Sequence, residues 1–257
     1  MSNDIAVMVA NFNRYFSSFA ESGVVELRDE GVRYIQPKPG RKGPTLLFHV
    51  GLDPQTAAER IRALLPDIDA GRVPGNWFIT PGATPDNVMA LLEANGFQNM
   101  GGGEPAMLLR AAAFQPIPPT SRVTCREIHT PEDFRLWIDI VNAALHGWDM
   151  IDAEHYYIWV EKGTYCFWLG EIDGIPVSTA ATIQTGRAGS LEFVSTLEPY
   201  RRQGAAAVAS SGAIAKLLAS GAELVSLSAC GESVPLYRKL GFEPVFEPVM
   251  MRRQKSP

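Results

Sequence analysis

Between Ala188 and Ser220 the chain passes from an apolar, strand-like pattern through Leu197-Glu198-Pro199-Tyr200-Arg201-Arg202-Gln203-Gly204 into a run rich in alanine. This passage constrains the fold more than any other feature. A strand predicted over Ala188–Thr196 must hand the chain almost directly to a helix predicted over Gly204–Ser220. The first amides of such a helix have no partner within it, and its dipole adds partial positive charge. Gly204 allows close backbone approach, and Ala205 and Ala206 keep the mouth free of bulk. Arg201 and Arg202 add charge beside it. The pattern is that of an anion cradle able to take a diphosphate. The spelling is neither the G-x-x-x-x-G-K-[ST] of a nucleotide P-loop nor the G-x-G-x-x-G of a dinucleotide fold. Taken alone, Arg-Arg-Gln-Gly also reads as a solvated start of a helix.

The surroundings alternate in type. Arg122–Ile128 reads as a strand. Thr130-Pro131-Glu132-Asp133 is a helix start, with a Thr cap, Pro at the first position and acids in the first turn, and the helix is predicted to run to Leu145. A second helix is predicted over Asp152–Glu161. Strands follow over Tyr165–Glu171 and Ile175–Gln184, joined by the Asp173-Gly174 turn. Beyond the Ala-rich helix come a strand at Glu223–Ser228, a helix at Ser233–Leu240 and one last strand over Phe242–Arg252, interrupted by Pro244 and Pro248. Upstream, the predicted elements are a helix at Asp4–Ala20, a hairpin in Gly23–Gln36, a strand at Thr45–Val50, a helix at Pro54–Leu65, a strand at Asn76–Thr80, a helix at Thr84–Asn95 and a strand at Met107–Arg110. Between the portions, residues 111–120 carry Pro116, Pro118 and Pro119 and read as an extended linker.

The 257 residues suit one large domain or two small ones, and 46% hydrophobic residues suffice for a core. With 23 basic against 28 acidic residues the net charge is −5, which speaks against a nucleic-acid partner. No apolar run reaches the ~18 residues of a membrane span, and Met1-Ser2-Asn3-Asp4 does not open a secretory signal. Cys125, Cys166 and Cys230 are too scattered for a disulfide framework or a metal site, so no metal and a cytoplasmic setting are expected.

Two segments then carry a resemblance. Arg201-Arg202-Gln203-Gly204-Ala205-Ala206 resembles motif A, [RQ]-x-x-G-x-[GA], of the GNAT N-acetyltransferase superfamily. Leu236-Tyr237-Arg238-Lys239-Leu240-Gly241-Phe242 resembles that superfamily's L-Y-x-K-x-G-F segment. Order and separation also suit it, and the likeness covers about Ser121–Arg253. It implies a mixed α+β fold with a central, mostly antiparallel sheet splayed between its fourth and fifth strands. It further implies acetyl-CoA (an acyl-coenzyme A) as co-substrate and a small-molecule, amino-acid or peptide amine as acceptor.

By this resemblance, Arg202, Gln203, Gly204, Ala205, Ala206 and Ala207 are the diphosphate loop. Val194, Ser195 and Thr196 are the splayed end of the strand beside the pantetheine arm, and Arg201 or Arg202 meets the 3′-phosphate. Tyr237 corresponds to the acid that protonates departing thiolate; a core aromatic is the other reading. Glu192 is a candidate base, on the same predicted face as Val194 and Thr196, or else a solvated strand carboxylate. His146, Trp148 and Asp149 are the candidate acceptor-binding residues. The chain departs from the superfamily pattern at Cys230, where Asn is frequent; a buried, inert thiol is expected there.

Finally, Leu91–Phe97 followed by Met107–Arg110 echoes Leu236–Phe242 followed by Met250–Arg252, each a helix, a Gly-Phe turn and a Met-bearing strand. The expected organisation is therefore a degenerate GNAT-like α/β domain over 1–110, the linker over 111–120 and the acetyltransferase domain over 121–257, forming a pseudo-symmetric tandem. The functional readings are an N-acetyltransferase or a non-catalytic acyl-CoA sensor or interaction module; a monomeric tandem and a homodimer both remain open.

Overall fold

The computed structural model describes residues 1–102 and 104–254. They form two compact units, one of Met1–Ala106 with the described residues from Val245 on, the other of Met107–Pro244. The front elements are α1 (Asn3–Ser18), β1 (Val25–Asp29), β2 (Val32–Pro37), β3 (Leu46–Val50), α2 (Ala57–Asp69), β4 (Asn76–Ile79), α3 (Val88–Ala94), β5 (Phe97–Asn99) and β6 (Ala106–Arg110). After them come β7 (Val123–Glu127), α4 (Pro131–Val141), α5 (Ala153–Tyr156), α6 (Ile158–Glu161), β8 (Cys166–Ile172), β9 (Ile175–Thr185) and β10 (Ala188–Thr196). The chain closes with α7 (Ala205–Ala219), β11 (Leu224–Ser228), α8 (Val234–Leu240), β12 (Glu243–Phe246) and β13 (Val249–Arg253).

Strand order departs from chain order in one informative way. One sheet runs β1-β2-β3-β4-β13-β5 and the other β12-β6-β11-β10-β9-β8-β7. Each sheet thus takes one strand from the far part of the chain: β13 lies between β4 and β5, antiparallel to both, and β6 lies between β11 and β12. Set β1-β2-β3-β4-β13-β5 beside β8-β9-β10-β11-β6-β12 and the two orders correspond, with β7 an extra edge strand. The senses agree as well: two antiparallel pairs are followed by a parallel one, β3–β4 in the first sheet and β10–β11 in the second. The tandem architecture expected from the helix–Gly-Phe–strand echo is present. The boundary drawn at 110/121 is corrected by the exchanged strands, because residues 106–110 belong to the back sheet and 245–254 to the front one. Residues 255–257 of the expected back domain lie outside the described residues.

Three other expectations change. The single last strand is two strands, β12 and β13, in different sheets, with Pro248 between them. The helix predicted over Asp152–Glu161 is two single turns, and the one predicted to reach Leu145 ends at Val141 in a π-helical turn over Asn142–His146. The Pro-rich segment is not a free linker: Gln115 N–H donates to the Leu240 carbonyl at 3.1 Å and Ile117 N–H to the Ser211 hydroxyl at 2.8 Å. Phe114 and Ile117 pack on the back core, which fixes an otherwise extended peptide.

In the back unit the sheet is sandwiched between different surfaces. On one face lies α7, whose Ala205, Ala209 and Ala213 are buried, so the helix sits close to the strands. A helix apolar on all sides is stable only when covered, and α7 packs with Leu191, Val225, Leu227 and Tyr237. On the other face, Trp137 meets Phe167 and Phe193 edge-on, with ring centroids 4.8 and 5.3 Å apart. Thr130 caps α4 by accepting the Asp133 N–H at 3.1 Å. Arg126 then clamps that first turn to the sheet, donating to both Asp133 oxygens at 2.6 and 2.7 Å and to Glu171 at 2.8 Å. Such a bidentate clamp holds direction as well as charge.

Candidate functional site

The site lies where β10 leaves β11. Their registered pairs are Ala188–Leu224, Gly189–Val225 and Ser190–Ser226, and none follows although β10 continues to Thr196. On its other side β10 stays with β9, but the register slips between Glu192 and Ser195. Phe193 absorbs the extra residue with a φ of 54°, a left-handed conformation costly for an aromatic residue. Two hydroxyls on β9 hold the bulge. Thr179 donates to the Phe193 carbonyl at 2.7 Å, and Ser178 to the Ser195 carbonyl at 2.5 Å. The Ser195 and Thr196 side chains complete the staple, to Thr179 at 2.7 Å and to Ser178 at 3.0 Å. On the β11 side no pair is registered for Val194, Ser195 or Thr196, so this end of β10 is an edge open to pairing. Ser178 and Thr179 escaped the sequence reading. The available signal was a pair of hydroxyls in an apolar strand, which must find partners when buried.

The chain then forms a short turn at Glu198–Tyr200 and reaches α7 through Arg202 (φ 64°) and Gly204 (φ 96°). Gly204 caps α7 without a side-chain hydrogen bond, and the first intrahelical bond at this end runs from Val208 N–H to the Gly204 carbonyl. The amides of Ala205, Ala206 and Ala207 precede it and point out of the helix mouth. A Cβ built on Gly204 would meet nothing within 4 Å, so space for a ligand lies beside the backbone. Arg202, Gln203 and Gly204 are exposed, while Ala205 is buried on the sheet. Arg201 is exposed, and its Nε donates to the Thr196 carbonyl at 3.2 Å, tying the turn back to β10. The Gln203 side chain folds onto the Pro199 carbonyl at 3.4 Å.

Tyr237 lies within electrostatic reach of Glu192, 45 positions away in the sequence. Burial pushes the Glu192 carboxyl up to about 8, opposed by the Ser190 hydroxyl. Tyr237 is 5% exposed and packs edge-on against Phe242 at 5.9 Å. Its phenol is raised above the usual range, first by burial and then by the charges of Cys230 and Glu192, with Ser233 pulling the other way. Glu192 itself is half-buried on β10. Cys230 is exposed rather than buried, and its thiol donates to Ser233 at 3.4 Å. On the loop after α4, His146 is half-buried and its Nε2 has no hydrogen-bond partner among the described residues; burial lowers the imidazole to about 4, so it is neutral. Trp148 is 48% exposed and Asp149 is exposed as well. Asn142 shapes this loop, accepting from Met150 and Ile151 and donating to the Ile151 carbonyl at 2.7 Å.

Among the described residues no group of three His, Cys, Asp or Glu side chains is placed to hold a metal ion. No described helix is long and apolar enough to cross a membrane.

Comparison with known proteins follows the same line. Residues 124–242 match the model of the acetyltransferase (GNAT) family. No curated protein matches the chain. A GCN5-related N-acetyltransferase from Kribbella flavida shares the fold at TM-score 0.74 and 18% identity, over 100% of this chain and 97% of that one. A tandem GNAT protein from the clavulanic acid biosynthesis pathway aligns at TM-score 0.63 and 11% identity, over 99% and 97% of the two chains. A third, a GCN5-related N-acetyltransferase from Sphaerobacter thermophilus, gives TM-score 0.62 at 16% identity over 88% and 78%. Fold and sequence agree, and the segment 124–242 of this chain belongs to the GNAT family of acetyltransferases.

Proposed function

We propose that the back unit moves an acetyl group from acetyl-CoA to the amine of a small molecule, amino acid or peptide, by direct attack with both reactants bound. The observation that carries this reading is a helix mouth with open space at Gly204, following a β10 that has parted from β11, with a half-buried Glu192 on that strand and a buried Tyr237 within reach of its charge. The amides of Gly204, Ala205, Ala206 and Ala207 would hold the diphosphate, with Arg202 adding charge. The clear space at Gly204 supports that fit. The open edge at Val194 suits the amides of a pantetheine arm, which would pair with it as an added strand. When bound, acetyl-CoA supplies an activated thioester.

The protein's own groups handle protons. An amine must lose one before it can attack, and an ordinary carboxylate is far too weak a base for an ammonium of pKa about 10. Glu192, at about 8, is much better matched and still partly ionised near neutral pH. Tyr237 keeps its proton throughout the working range, available to a leaving thiolate. With no covalent intermediate, the rate rests on positioning. The test is a thiol-release assay against amines, amino acids and aminoglycosides, with acetyl-CoA protection in thermal melts. Protection should appear in the wild type and vanish in G204E. Absence of acetyl-CoA binding at millimolar ligand ends this reading; binding without transfer to any amine leaves a sensor.

A further inference from the structure

Gly170 lies in β8, opposite Ser178 of β9 and Cys125 of β7. A Cβ at Gly170 would stand 2.7 Å from the Ala205 carbonyl oxygen, 3.2 Å from the Ala205 carbonyl carbon and 3.1 Å from the Ser178 Cβ. Two of these three atoms are backbone, so neither a rotamer change nor a flexible side chain can relieve the contact. Both neighbours belong to the site. Ala205 opens α7 and carries one of the amides at its mouth. Ser178 holds the splayed end of β10 through the Ser195 carbonyl. Below them, Ala205 shares a small apolar cluster with Ile172 and Val177, so the helix mouth rests directly on these strands. The bare backbone at 170 is thus the floor beneath both halves of the proposed acyl-CoA site.

We propose that Gly170 is a positioning residue for acetyl-CoA: by lacking a side chain it sets the spacing between the amide mouth of α7 and the open edge of β10. This inference rests on the acyl-CoA reading above and makes it specific to a residue that touches no ligand. Adding one methyl must lift the first turn of α7, push Ser178, or do both. Either movement misplaces hydrogen-bond groups that are useful only within a few tenths of an ångström. Neither Glu192 nor Tyr237 is among the groups that a Cβ at Gly170 would meet, so the larger loss falls on cofactor affinity rather than turnover.

The control is Gly189, where α7 is crowded at its far end: a Cβ there would meet Leu217 Cδ2 at 2.7 Å and the Ile183 carbonyl at 2.8 Å. G170A and G189A are compared with the wild type by steady-state kinetics, by calorimetric Kd for CoA and by thermal melting. For G170A, KM for acetyl-CoA and Kd for CoA should rise at least about tenfold with kcat within about twofold; for G189A, melting should fall with KM within about twofold. A G170A enzyme with wild-type KM and Kd overturns the proposal, and so does a G189A enzyme with an equal affinity loss. If G170A does not accumulate folded, G170A/S178G is compared with S178G alone, since the pair keeps the Ala205 contact and relieves the other. A KM for the double variant at least about fivefold above S178G is expected, and equal KM values overturn the proposal. Failure of the wild type itself to bind CoA would instead defeat the reading on which this inference stands.

Discussion

At the scale of single residues, Glu192 joins the proposed chemistry to a stability cost. Its carboxyl is raised by burial from the ordinary value to about 8 in the folded protein. The folded state therefore holds a proton that the unfolded chain has already released. The sign follows: this contribution is full below the unfolded pKa near 4.5 and is lost as pH rises through about 8. E192Q removes the titration while keeping shape. It should melt higher than wild type at pH above 8, with the gap closing towards pH 5, and turn over roughly a hundredfold more slowly. Melting curves that run parallel across that range would contradict a buried carboxyl here. Wild-type kcat should climb with pH to a plateau past about 8, as the base ionises. Y237F keeps the ring against Phe242 and loses only the proton, so kcat should drop at least about tenfold with acetyl-CoA affinity unchanged. A Y237F enzyme with full turnover would remove the phenol from the chemistry.

Among the elements, the two corresponding strand–helix–strand passages differ in a telling way. Past Ser190 and Ser226, β10 and β11 have no further registered pairs. In the front sheet the chain closes the matching gap itself. Thr84 N–H donates to the Val50 carbonyl at 3.0 Å, Leu52 N–H donates to the Thr84 carbonyl at 3.1 Å, and Gly51 bridges Thr84 in parallel. The segment thus lies along the end of β3 as an added strand would. Just before α2, the counterpart of α7, the Asp53 carboxylate accepts the Gln55 N–H at 2.7 Å, placing an anion of its own near that helix start. The front unit is accordingly expected to bind no acyl-CoA. Calorimetry should give one acetyl-CoA per chain, all of it lost in G204E, and a second equivalent surviving in G204E would refute the self-closure. This closure is also why α3 starts at Val88 and not at Thr84: Thr84 spends its amide and carbonyl on β3 before the helix begins.

The whole molecule is bound together by two exchanged strands, so its units are not separable segments of chain. Met251, at the far end of the sequence, is fully buried in the front core beside Trp77 and Phe97. M251A should cost about 2–5 kcal/mol of front-unit stability, read by chemical unfolding, as for other large core truncations. Residues 1–110 expressed alone lack β13, and residues 121–257 lack β6, leaving an unpaired gap inside each sheet. Each piece should be insoluble alone and become soluble when the two are co-expressed. A stable, soluble 121–257 fragment would show that β6 is dispensable.

Much of this was legible in the linear chain because it depends on neighbours. The span of β10, the mouth of α7, the Thr130 cap and the helix–Gly-Phe–strand echo are set by local pattern, and the motif residues at Arg202–Ala207 fall where a strand meets a helix. What stayed hidden is what depends on partners distant in sequence. Nothing local to Met107–Arg110 or Val249–Arg253 says which sheet will take it, because an apolar strand pairs equally well with either edge until the competing gaps exist. The raised carboxyl of Glu192, the tethering of Arg201 to Thr196, the Ser178 and Thr179 staples and the empty place at Gly170 arise only when strands β8, β9 and β10 lie under α7. The sequence by itself determined most of the elements and where the motif residues fall on them. Tertiary structure decided which strands close which sheet and how far burial raises Glu192 and Tyr237, since burial and spacing are properties of packed surfaces and not of a linear order.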